Sequence, residues 1–107
     1  MIGDVRGRTC IIQDDIIDTA GTITKAANAL VANGAEKVLA AAVHAVLSEP
    51  ALERVDASPI EKVIVANTIP VGATGSSEKI VVLSVARLLS QAIRSIHEES
   101  SVSSLFV

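Results

Sequence analysis

The run Thr9-Cys10-Ile11-Ile12-Gln13-Asp14-Asp15-Ile16-Ile17-Asp18-Thr19-Ala20-Gly21-Thr22 constrains the fold of this chain more than any other stretch. Thr9 to Gln13 is a short apolar run that suits a buried parallel strand. From Ile23 onward the apolar residues Ile23, Ala26, Ala27, Leu30 and Val31 recur at the i, i+3, i+4, i+7, i+8 spacing of an amphipathic helix. Between strand and helix lies a tight acidic turn holding three aspartates, two threonines and one glycine.

A strand–turn–helix of this composition has a chemical use. The first N–H groups of a helix lack intrahelical partners, and the helix dipole is positive there. A small phosphate can therefore sit on the backbone of Asp18 to Thr22. Gly21 permits close approach, and the Thr19 and Thr22 hydroxyls can donate to phosphate oxygens. Asp14 and Asp15 fall at the carboxyl end of the strand, where open α/β sheets bind ligands. Carboxylates there can accept hydrogen bonds from vicinal sugar hydroxyls or hold hydrated Mg²⁺. A phosphate nest beside a diol-binding acidic pair describes a pentose 5-phosphate. The plainer alternative is a helix capped by Asp18 or Thr19 with Asp14-Asp15 as a solvated turn.

The rest of the chain follows an alternating pattern. Met1 to Arg8 reads as an exposed turn, too charged for a signal peptide. The first helix is predicted from about Thr22 to Asn33, stopped by Asn33-Gly34. Lys37 to Val43 is a second strand, and His44 falls at its carboxyl end, where a structural role is the simpler reading. Ser48 as N-cap and Pro50 in the first turn open a short helix to about Val55. Glu61 to Ala66 and Lys79 to Ser84 are further strands, separated by Asn67-Thr68-Ile69-Pro70 and a mobile loop at about 71–77. Val85, Leu88, Leu89, Ala92, Ile93 and Ile96 form the stripe of a last helix, with His97 in its final turn.

The order β-α-β-α-β-β-α predicts an α/β domain: a mostly parallel sheet with helices on both faces, and one domain over residues 1–107. The pairing of the last two strands is open. With a single aromatic residue, Phe106, the core must be built from Ala, Val, Ile and Leu. Twelve acidic against nine basic residues, with no basic stripe, argue against nucleic acid. The lone Cys10 excludes an internal disulfide, reads as a strand residue and fits a reducing, cytoplasmic compartment. No apolar run approaches the roughly 20 residues of a membrane helix.

The run Asp14-Asp15-Ile16-Ile17-Asp18-Thr19-Ala20-Gly21-Thr22 resembles the phosphoribosyl-binding loop of type I phosphoribosyltransferase folds. It is most similar to the loop of the ribose-phosphate pyrophosphokinase family, of the form Asp-Asp-x-x-Asp-Thr-x-Gly-Thr. The resemblance extends through Gly3-Asp4-Val5-Arg6-Gly7-Arg8, Ser58-Pro59-Ile60-Glu61, Asn67-Thr68-Ile69-Pro70, Ala92-Ile93-Arg94 and Ser101-Val102-Ser103-Ser104-Leu105-Phe106. It implies a truncated phosphoribosyltransferase-like fold equivalent to most of the carboxyl-terminal domain of such an enzyme. It implies that Asp18, Thr19, Ala20, Gly21 and Thr22 contact a 5-phosphate, and that Asp14 and Asp15 hold ribose hydroxyls, one through Mg²⁺. Ser101 and Phe106 match positions of a regulatory site between subunits. Gln13 departs from the family's apolar residue and, buried beside the binding loop, needs a partner for its amide. Val43-His44-Ala45 replaces the family's Thr-His-Gly.

The family reaction is transfer of pyrophosphate from Mg-ATP to the 1-hydroxyl of ribose 5-phosphate, giving phosphoribosyl pyrophosphate. The ATP-binding half and the basic catalytic loop have no counterpart in this sequence, and the turn offers no Lys or Arg before Lys25. The expectation is a ribose 5-phosphate-binding part, without a catalytic residue of its own and inactive alone. Its sheet edge would be covered by a second copy or by a complementary ATP-binding half. The alternatives are a non-catalytic regulatory or assembly module, and a fragment of a nucleobase phosphoribosyltransferase.

Overall fold

A computed structural model describes residues 3–70 and 77–98. The elements are β1 (Thr9–Ile17), α1 (Gly21–Ala32), β2 (Lys37–Ala45), α2 (Ala51–Asp56), β3 (Ile60–Ala66), β4 (Ile80–Leu83) and α3 (Ala86–His97). The four strands form one sheet in the order β1-β2-β3-β4, and every pairing is parallel. The relation the sequence left open is thereby settled, with Val63 to Ala66 in β3 registered on Ile80 to Leu83 in β4. Of the loop expected at 71–77, only Ser77 lies among the described residues; its hydroxyl donates to the Asp56 carboxylate. The tail from residue 99, with Ser101 and Phe106, lies outside them.

The core is built from one face of the sheet. Val38, Ala40 and Ala42 alternate inward from β2, and Val63 and Val65 from β3. They meet Ile23 and Ala27 of α1 and Ala51 and Val55 of α2 in a single cluster. Small residues let the layers approach closely: Ala27 and Ala40 are both fully buried. Parallel crossovers are right-handed, so two successive steps in the same direction across the sheet place their helices on the same side. α1 and α2 accordingly pack on each other as well as on the common core.

The opposite face carries a matching apolar surface. Ile11 lies beside Leu39, and Gln13, Ala41, Ile64 and Val81 form one row across all four strands. Ile11 and Leu83 remain 66% and 57% exposed. α3 buries no residue, and its Leu89, Ile93 and Ile96 are exposed. Among the described residues, then, helices cover one face of the sheet and not both. β1 and β4 are the two edge strands.

Four sequence expectations shift. The first strand runs on to Ile17, because Asp14 pairs with Ala42 and Ile16 with His44 in the ladder, so the acidic pair belongs to a strand. The second strand likewise extends to Ala45 and takes in His44. Gln13 is exposed on the open face and has no burial to compensate. α2 starts at Ala51 with Pro50 as its N-cap and no side-chain cap bond; Ser48 contributes its backbone carbonyl, which accepts from the Ala51 N–H at 2.8 Å.

The asymmetry of the two faces is measurable. Ile60→Ala, at a site 1% exposed, is expected to cost about 3 kcal/mol in denaturant unfolding. Ile11→Ala on the open face is expected to cost less than about 0.5 kcal/mol.

Candidate functional site

The turn after β1 is held from beneath by three apolar anchors. Ile17, Ala20 and Ile23 are 2%, 5% and 4% exposed. The Ile17 carbonyl accepts from the N–H groups of Val46 and Leu47, at 3.0 and 3.1 Å, which ties the end of β1 to the end of β2. With these residues turned inward, Asp18, Thr19 and Thr22 are left exposed.

Ala20 is the N-cap of α1, in the left-handed conformation at φ 65°, ψ 12°. No side chain caps the helix, so neither Asp18 nor Thr19 plays the role that the plainer sequence reading allowed. The Ala20 carbonyl accepts the first intrahelical bond from the Thr24 N–H at 3.1 Å and a second from the Thr24 hydroxyl at 2.7 Å. The leading N–H groups of α1 thus stay available to an external acceptor. A left-handed residue followed by helical ones makes a concave nest of N–H groups that favours anions. Asp14, Ile16 and the segment Asp18 to Ile23 line an open cavity of about 150 Å³ there.

The acidic pair stands at the rim. The Asp15 N–H donates to the Asp14 carboxylate at 2.8 Å. Hydrogen bonding with the Asp14 carboxyl is the main influence holding the Asp15 carboxyl below the usual carboxylate range, backbone N–H donors add to it, and the nearby His44 contributes by its charge. Of the residues singled out in the sequence, Asp14, Asp18, Thr19, Ala20, Gly21 and Thr22 share the cavity, with Asp15 adjacent in the strand.

Two features were not legible in the sequence. His44 Nδ1 lies 2.7 Å from the Thr68 hydroxyl, which itself donates to the Val43 carbonyl at 3.2 Å. A hydroxyl has one proton, so with Thr68 donating to Val43, Nδ1 donates to Thr68, in the charged ring and in the neutral one alike. Asn67 secures the same edge: its Oδ1 accepts from the Val85 N–H at 2.9 Å, and its own N–H donates to the Leu83 carbonyl at 3.1 Å. The Asn67-Thr68 pair therefore joins the carboxyl ends of β2, β3 and β4. The second feature is Arg54 of α2, which donates from Nη1 to the Thr19 carbonyl at 3.3 Å. It lies 35 residues further along the chain, beyond the range of any local pattern.

Residues 1–107 match the phosphoribosyl synthetase-associated domain. The chain belongs to that family. It is 57% identical over 106 residues to a ribose-phosphate pyrophosphokinase of Clostridium tetani, covering 99% of this chain and 33% of the relative. An Aquifex aeolicus protein of the same name is 54% identical, with 34% of its length covered. The crystal structure of phosphoribosylpyrophosphate synthetase from Mycobacterium smegmatis superposes with a TM-score of 0.88 at 45% identity, over 92% of this chain and 33% of that one. The chain thus spans about a third of the length of these relatives. No described helix of this family member is long and apolar enough to cross a membrane.

Two substitutions check the site's construction. Ala20→Val forces a β-branched residue into the left-handed region at a buried position and is expected to cost about 2 kcal/mol or more in denaturant unfolding. Thr68→Val removes the acceptor for His44 Nδ1; ¹⁵N imidazole shifts are expected to move from the Nδ1–H towards the Nε2–H tautomer.

Proposed function

We propose that the chain is the ribose 5-phosphate-binding part of a ribose-phosphate pyrophosphokinase, and that it is inactive alone. The observation that carries this reading is the left-handed turn at Ala20, which opens the amino end of α1 beside the Asp14-Asp15 pair. In this reading the 5-phosphate rests on the N–H groups of Ala20 to Thr22, with the Thr19 and Thr22 hydroxyls donating at its rim. Asp14 and Asp15 accept from the vicinal ribose hydroxyls. The names of the relatives favour this substrate over a nucleobase phosphoribosyltransferase reaction.

Mg²⁺ prefers one or two carboxylates and keeps several waters. Asp14, on the cavity wall, could hold such an ion with one carboxylate, with Asp15 next to it in the strand. Such an ion would supply charge neutralisation at the site. The chain's own residues bind and orient the sugar so that its 1-hydroxyl is presented outward.

The chemical step needs more than this site holds. In pyrophosphoryl transfer the 1-hydroxyl oxygen bonds to the β-phosphorus of ATP, the bond to the α-phosphate breaks, AMP leaves and the hydroxyl proton is released. The developing charge on the transferred group calls for cations at close range. Among the described residues no Lys or Arg lines the cavity, and Arg54 meets the turn through the Thr19 carbonyl. A partner, either a complementary ATP-binding half or a second copy of the chain, must provide the rest. The open apolar face and the edge of β1 are the surfaces available to it.

Calorimetric titration of ribose 5-phosphate in the presence of Mg²⁺ tests the proposal. Saturable binding is expected, weakened about tenfold or more in the Asp14→Asn/Asp15→Asn double variant, with no phosphoribosyl pyrophosphate formed from added ATP. Absence of binding by a folded, monodisperse sample would refute it.

A further inference from the structure

We propose that Arg54 is a positioning residue for the phosphate-binding turn, and that Gly21 is a glycine because Arg54 occupies the space a side chain would need. The ligand named below rests on the ribose 5-phosphate reading; the mechanical claim does not.

The Thr19–Ala20 peptide is the element that Arg54 holds. A trans peptide is planar, and its C=O and N–H point in opposite directions. Arg54 Nη1 donates to the Thr19 carbonyl at 3.3 Å. Fixing that carbonyl fixes the whole plane and directs the Ala20 N–H away from Arg54. The surroundings agree with this direction. Thr19 and Ala20 line the 150 Å³ cavity, which Arg54 does not touch. Arg54 lines a neighbouring groove of about 390 Å³ with Lys25; Gly21 borders both spaces, and Ala20 has no part in the groove. The guanidinium thus braces the turn from behind and sets the orientation of an N–H on the ligand side.

A brace is needed there. Ala20 is left-handed at φ 65°, a conformation that an alanine does not adopt without support from its surroundings. The bonds from Thr24 hold the carbonyl on the far side of Ala20. Arg54 holds the one before it. Together they fix both peptide planes flanking the strained residue.

Gly21 completes the fit. Unlike Gly3, Gly7 and Gly34, it does not have a positive φ, so backbone conformation does not demand a glycine. Space does: a Cβ at Gly21 would stand 3.0 Å from Arg54 Nη1, with the Thr19 hydroxyl oxygen next at 3.8 Å. An alanine there would push the exposed Nη1 end of Arg54 aside by a few tenths of an ångström, lengthening a bond to Thr19 that is already 3.3 Å. Gly21 and Arg54 are therefore predicted to act as one unit, and their substitutions to be non-additive.

The test is a double-mutant cycle on the full chain with Gly21→Ala, Arg54→Ala and both together, read in two ways. Without ligand, the reading is amide hydrogen exchange at Thr24, whose N–H bonds to the Ala20 carbonyl. With ligand, it is the dissociation constant of ribose 5-phosphate with Mg²⁺. Each single substitution is expected to speed Thr24 exchange and weaken binding, by about tenfold. In the Arg54→Ala background, Gly21→Ala should change either quantity by less than about threefold, because the bond it would disrupt is already gone. Exchange at the buried strand residue Val63 should be unchanged, which separates bracing of the turn from general loss of stability. Additive effects in both readings, or equal acceleration at Val63, would overturn the proposal. If the unsubstituted chain binds no ribose 5-phosphate, the binding function fails and the exchange cycle alone decides. Non-additivity there still supports the brace, and additivity refutes it.

Discussion

The left-handed turn at Ala20 is the constraint on which the rest of the site depends. A β-strand that runs directly into a helix must reverse its backbone within a few residues, and here one residue outside the common regions makes the reversal. The surrounding structure over-determines it. Ile17 and Ile23 are buried on either side, Ala20 is itself buried, and its carbonyl is held twice by Thr24. Because the anchors point inward, the residues between them point outward. The chemistry of the loop is thus a consequence of packing: Asp18, Thr19 and Thr22 are presented because Ile17, Ala20 and Ile23 are buried.

The sheet contributes rigidity at the same edge. Ile17 receives two backbone bonds from the residues after β2, and Asn67 and Thr68 link the strand ends beyond it. His44 belongs to this network through Thr68 while its charge reaches Asp15. Its structural and electrostatic roles are compatible, since Nδ1 serves the scaffold and Nε2 is free of that bond. On the other side of the sheet the architecture is open. A radius of gyration of 16.4 Å compares with about 13 Å for a compact domain of 100 residues. One helical layer covers one face, and α3 extends without burying a residue. The relatives are about three times as long as this chain.

The element order was legible in the sequence because hydrophobic periods changed cleanly from strand to helix. The loop was legible because its aspartates, threonines and glycine are contiguous. What escaped was what depends on register or on distant residues. The length of β1 was underestimated because Asp14 and Asp15 break the apolar run, whereas the ladder to Ala42 and His44 continues through them. Gln13 was read against a buried environment that requires a second layer on its face of the sheet, and the described residues provide none. Arg54 was invisible because the signal lies in a steric match with Gly21, and no local pattern encodes a contact 35 residues away.

The most direct measurement is an amide-resolved NMR titration with ribose 5-phosphate and Mg²⁺. The largest shifts are expected on Ala20, Gly21 and Thr22, with smaller ones on Asp14 and Asp15 and negligible ones in β3 and α3. Perturbations centred elsewhere, or none in a folded sample, would contradict binding at the turn.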